Sequence, residues 1–95
     1  MTIKDFKSLR RYYGAFAALR IYICQNADVD VFQADKHLGE LIDEHPVGKI
    51  ERMTTKKLFE IGEGIVSTIK EQKKEVLFQV KQRQEHFIAK VFAKN

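Results

Sequence analysis

Few residues in this 95-residue chain could do chemistry, chiefly one cysteine, three histidines and thirteen acids. A metal site needs several of them on one face. Di-iron bundles use a glutamate three residues before a histidine, and zincins use two histidines four apart. Neither spacing occurs around His37, His45 or His86. His37, Glu40 and Glu44 share a helical face that could hold a cation weakly, but the spacing equally describes a solvated polar face, which is the expectation here. His45, just before Pro46, reads as a helix C-terminal residue facing the dipole. Nucleophilic catalysis would need Cys24 or a serine beside a base and an orienting group. Ser8 and Ser67 lie in ordinary helical runs, and Cys24 reads as a small buried packing residue. Gly62-Glu63-Gly64 lacks the lysine and hydroxyl ending of a phosphate loop. The sequence therefore predicts no enzyme activity, no metal and no cofactor.

The cations are more informative. The chain carries 17 Lys+Arg against 13 Asp+Glu, and its pI is near 9.3. Residues 1–25 and 54–95 are each net basic, and residues 26–53 between them are net acidic. Three segments folded together could thus hold the middle one partly by charge. Lys4, Lys7, Arg10 and Arg11, next to Tyr12 and Tyr13, form the densest basic and aromatic cluster. Such a cluster could grip phosphates while a ring stacks on a base. Arg10, however, lies off the face shared by the other three, and no helix-turn-helix spacing accompanies them. Arg20 falls between two apolar stripes beside Tyr13, so the pattern predicts a partly buried guanidinium paired with an acid. Candidate acids lie in the second helix or around Glu60 and Glu63. An ion pair of that kind would fix register, and its loss should lower stability substantially.

Positioning these groups requires helices, since no useful strand alternation appears. Thr2 and Asp5 make a capping-box start. Leu9, Tyr12, Phe16, Leu19 and Ile23 then recur at helical spacing, and Gly14, Ala17, Ile21 and Cys24 form a second stripe of smaller residues. The prediction is one helix over about 2–25, packed on two sides, near the centre of a bundle or against a second subunit. Asp30 caps a second helix over about 30–45, with Val31, Ala34, Leu38, Leu41, Ile42 and His45 inward and Asp35 facing water. Pro46 stops it. Residues 47–53 read as irregular and pinned by Ile50 and Met53. In the last segment Ile65-Val66-x-x-Ile69 recurs as Val76-Leu77-x-x-Val80 and as Phe87-Ile88-x-x-Val91, eleven residues apart each time. That period is about 3.67 residues per turn, so the apolar stripe stays nearly straight. The polar residues between these triplets, Lys73 among them, read as solvated. One helix from 54 to 93 would be about 60 Å long, too long for the first helix alone to cover. Either other helices tile along it, it breaks, or a second copy covers the rest. Gly62 and Gly64 mark the weak point, and the favoured reading is two helices, about 54–63 and 64–93. The fold class is all-α: a single small antiparallel bundle of three to four helices with a long C-terminal helix.

Two surfaces could bind a partner. Phe78, Ala89 and Phe92 point away from the eleven-residue stripe, and exposed aromatics in line favour a docking surface. The small-residue stripe of Gly14, Ala17 and Ile21 is the second. The reading is a non-enzymatic protein of accessory, regulatory or immunity type that binds another protein or itself as a homodimer; the alternative is nucleic-acid binding through the N-terminal basic cluster. Eleven-residue repeats also occur in helices lying on lipid surfaces, but the mixed charges here favour packing between helices over a membrane surface. In size, basicity and helical content the chain resembles small accessory proteins of phages and plasmids and bacteriocin immunity proteins, without a shared motif. A single thiol, no span of apolar residues and no secretory pattern in MTIKDFKSLRRYY point to the cytoplasm.

Overall fold

The first helix begins where its capping residues place it. Thr2 Oγ1 accepts from the Asp5 amide, while the Asp5 carboxylate accepts from the Thr2 amide, so two otherwise unpaired donors are satisfied. The computed structural model describes the backbone of residues 1–93 and the side chains of residues 1–78. These form five helices and no strand among the described residues: α1 (Ile3–Tyr13), α2 (Ala15–Ala27), α3 (Val31–Glu44), α4 (Val47–Arg52) and α5 (Thr55–Ala93). The all-α class and the long C-terminal helix are present. The boundaries differ from the sequence reading in three places, each for a physical reason.

The expected first helix is two helices. Gly14 stands at φ 94° and ψ 170°, a region open essentially only to glycine, and the chain folds back there. Its amide still donates to the Arg10 carbonyl, and its carbonyl accepts from the Ala18 amide, so one residue closes α1 and opens α2. The reversal brings Phe6 of α1 to Tyr22 of α2, with ring centroids 5.9 Å apart. It also ends the phase of the sequence stripe. Leu19 and Ile23 remain buried, whereas Tyr12 is 80% exposed and Leu9 and Phe16 only half-buried.

Residues 47–52 are helical rather than irregular. Pro46 supplies the start, and its fixed φ and missing N–H suit a position before the first turn. The pins read from the sequence hold: Ile50 is fully buried and Met53 packs against the core.

The expected break at Gly62 and Gly64 does not occur, and α5 runs uninterrupted through both. At Gly62, α2 approaches so closely that an added Cβ would stand 2.9 Å from Tyr22 Cδ1 and 3.5 Å from Leu19 Cδ2. Glycine there permits contact between helices. Gly64 is exposed with nothing near it.

α2 is apolar nearly all round and packs against each of the other four helices. Its Ala15, Ala18, Leu19, Tyr22, Ile23 and Ala27 are the spine of the core. Phe6, Ala34, Leu38, Leu41, Ile50, Leu58, Val66 and Ile69 close around them. Phe6, Tyr22 and Phe59 form a triangle of edge-on rings with centroids 5.1–5.9 Å apart, a favoured geometry for aromatic quadrupoles. Phe6 meets Phe59 while Arg10 reaches Thr55, so α1 runs antiparallel to α5. Leu19 and Tyr22 lie by Gly62 while Ala27 lies by Lys73, so α2 and α5 run parallel. α3 is covered on one face only. Ala34, Leu38 and Leu41 are buried as expected, but Val31 and Ile42, read as inward, are exposed because no element lies over their side of the helix.

Two glycines of one helix should therefore answer the same substitution with opposite sign. Gly64→Ala should stabilise the protein by about 0.5–1 kcal/mol through helix propensity. Gly62→Ala should destabilise it by about 1–3 kcal/mol, because the Tyr22 ring must shift. Urea unfolding followed by circular dichroism reads both.

Candidate functional site

Two polar contacts show how the sequence's cations are used. Arg10 of α1 donates from Nη2 to the Glu51 carbonyl at 2.9 Å and from Nη1 to Thr55 Oγ1 at 3.2 Å. Glu51 lies in the last turn of α4, where carbonyls have no partner within the helix. Lys73 of α5, read as solvated, does the same for α2: its Nζ donates to the carbonyls of Ala27 and Asp28 at 2.7 and 2.8 Å. Asp28 sits in the left-handed region, φ 53° and ψ 55°, where the helix stops. Each cation thus meets the negative end of a helix dipole and binds carbonyls that lack partners.

Arg20 is paired, as the pattern requires. Its Nε donates to Asp35 Oδ1 at 2.7 Å, joining α2 to α3, and Asp35 therefore does not simply face water. The two side chains are 44% and 43% exposed, which corrects the expected energetic weight. Water screens a half-exposed pair, and such pairs contribute roughly 0–1 kcal/mol.

Cys24 stands close to this pair. Burial pushes its thiol above the ordinary range, the Asp35 and Asp30 carboxylates add to this, and Arg20 pulls the other way. The group stays protonated at neutral pH and is a poor nucleophile there. His37 Nδ1 lies 3.8 Å from Glu40 Oε2, but among the described residues no three metal-ligating groups converge.

α3 and α5 do not close on each other, and a cleft of about 490 Å³ opens between them. Val29, Gln33, Lys36 and His37 line one wall and Ile69, Gln72, Lys73, Val76 and Leu77 the other. A shallower continuation passes His37 toward Glu44, Ile61 and Gly64. The cleft is mainly apolar and opens onto the part of α5 that extends past the other helices. There the eleven-residue pattern changes environment. In the first triplet Val66 and Ile69 are buried and Ile65 is half-buried against the core. In the second, Val76 is 58% exposed and Leu77 69%. Among the described side chains, the bundle covers the stripe as far as Lys73. Val80 and the whole third triplet, with Ala89 and Phe92 of the expected docking surface, lie outside the described side chains.

The remaining candidates are dispersed. Phe78 is exposed beside Leu77. Ala17 and Ile21 are half-buried on α2, and Gly14 is the turn rather than part of a helical stripe. Lys4, Lys7 and Arg11 are exposed on α1, while Arg10 is engaged by α4 and α5. The cleft wall on α3, with Val29 and Gln33, was not found by the sequence reading; Val29 sits in a connection, where periodicity gives no signal. No helix among the described residues is long and apolar enough to cross a membrane.

Two outcomes follow from this geometry. Replacing Arg20 or Asp35 by Ala should cost no more than about 1 kcal/mol each, and a double-mutant cycle of thermal unfolding should return a coupling within that range. Iodoacetamide should modify Cys24 more slowly than it modifies glutathione at pH 8, with the rate still rising above the pH where an ordinary thiol has ionised; mass spectrometry of the modified chain follows it. Compared with protein families, curated proteins and solved structures, the chain matches none.

Proposed function

We propose that this protein acts by binding protein rather than by catalysis, and that its partner is a second copy of itself docked along α5 beyond Lys73. The observation that carries this reading is the exposure of Val76 and Leu77, in register with the buried Val66 one repeat earlier. A helix that keeps one apolar stripe through three repeats is suited to having that stripe covered throughout. Among the described side chains, α1 to α4 cover the first repeat and leave Val76 and Leu77 exposed.

A second α5 has the matching chemistry. It carries the same triplets at the same period, and its polar faces mix signs, with Lys70 and Lys74 beside Glu71 and Glu75. Two such helices laid antiparallel can set acids against bases along both edges while the stripes meet between them. Phe78 lies at the margin of that seam and extends it. The cleft between α3 and α5 continues the same apolar strip, so Val29 and Ile69 widen the surface toward the bundle. The lone thiol, held in its neutral form, suits the reducing cytoplasm to which this reading assigns the protein.

Leu77→Glu should convert the dimer to a monomer while leaving the thermal midpoint of the monomeric bundle unchanged, because the side chain is exposed within one chain. Size exclusion with light scattering is the measurement. A wild-type protein that stays monomeric at its highest soluble concentration overturns the proposal, as does a Leu77→Glu variant that remains dimeric.

A further inference from the structure

Positive charge gathers where α1 ends, α4 lies and α5 begins. Arg10 holds this junction through Glu51 and Thr55, so α1 meets the consecutive ends of α4 and α5 within hydrogen-bonding distance. Within about one helical turn of those residues stand exposed Lys7 and Arg11 on α1, Lys49 and Arg52 on α4, and Lys56 and Lys57 on α5. None of the six forms an ion pair among the described residues. The acids in α1, in α4 and at the start of α5 are Asp5, which is tied to Thr2 at the start of α1, Glu51 and Glu60. Glu44, from the adjoining end of α3, lines the cleft on the other side of α5, with Ile61 and Gly64. Directly after Arg11, Tyr12 and Tyr13 close the last turn of α1, 80% and 67% exposed, and line a shallow hollow with Asp5, Ser8 and Gln25.

We propose that this corner binds single-stranded nucleic acid, the six cations lying along the phosphate backbone and Tyr12 or Tyr13 stacking on an unpaired base. The chemistry fits in both parts. Lysine and arginine drawn from several elements neutralise successive phosphates and release their counterions. An exposed aromatic ring offers a stacking platform to any base whose π face is free, which a duplex does not present. The structure redraws the basic cluster of the sequence: Arg10 becomes the residue that assembles the surface, and α1, α4 and α5 each contribute two exposed cations to it. The site is separate from the α5 seam and does not depend on dimerisation.

Fluorescence anisotropy of a labelled single-stranded oligonucleotide, measured over a salt series, tests it. Log affinity should fall linearly with log salt, with a slope of about 0.7 for each phosphate neutralised. Arg52→Glu with Lys56→Glu should weaken binding and flatten that slope, with no change in thermal midpoint, since both side chains are exposed. Tyr12→Ala with Tyr13→Ala should lower oligonucleotide affinity about tenfold, the scale of one base–aromatic stack, without altering the affinity for inorganic polyphosphate. Absence of salt-dependent binding overturns the proposal. So does binding to heparin, anionic vesicles or duplex DNA as tight as to the oligonucleotide, combined with no effect of the tyrosine variants, because the corner would then be a generic polyanion surface.

Discussion

Everything in this fold follows from a helix with little polar face to show to water. α2 is apolar around most of its circumference, and burial of each large apolar side chain contributes roughly 1.5–3 kcal/mol. Four helices must therefore surround thirteen residues, and each arrives by a different device. α1 is folded back by Gly14, α3 returns after the left-handed Asp28, α4 starts at Pro46, and α5 is admitted by the missing Cβ of Gly62. The aromatic triangle of Phe6, Tyr22 and Phe59 sits where three of these helices meet.

Packing short helices around α2 leaves the C-terminal carbonyls of α2 and α4 close to other elements. Arg10 and Lys73 answer this at two ends of the bundle, and both belong to the basic flanks of the sequence. Arg20 meets Asp35 in the acidic middle. The alternation of charge along the chain is thus expressed as a few long side chains crossing between segments, with capping of helix ends more prominent than ion pairing. Most of the basic surplus remains at the surface, where two chemically different faces result: a cationic corner at the α4 end and a mixed-charge apolar rod at the other.

Local signals in the sequence were legible and remote ones were not. Thr2 with Asp5, Asp30 and Pro46 mark their helix boundaries because capping and proline sterics act within four residues. The pairing of Arg20 was legible because a guanidinium between apolar stripes needs a partner, but its half-exposure was not. Gly14 left no mark in a helical pattern, since a glycine can continue a helix or reverse it and only the packing of Phe6 on Tyr22 decides. Gly62 was misread for the same reason. Helix propensity registers the cost of a glycine but not the Tyr22 ring pressed against it. Lys73 looks like any solvated lysine until Ala27 and Asp28 are placed beneath it. The apolar triplets of α5 read as one stripe, yet whether Val76 and Leu77 are covered depends on where α1 to α4 run out, and periodicity carries no such information.

The parallel alignment of α2 and α5 has a kinetic meaning. Parallel packing needs a return connection, and here the chain travels back along α3 before α5 can begin to dock. The hairpins of α1 with α2 and α2 with α3 close over short separations, whereas Tyr22 and Phe59 meet across a sequence separation of 37. Contacts of that span close late, after the loop entropy has been overcome. On a ribosome the half-built core would emerge first, with its greasy flank awaiting the final rod, and the nascent chain would be at its stickiest in that interval.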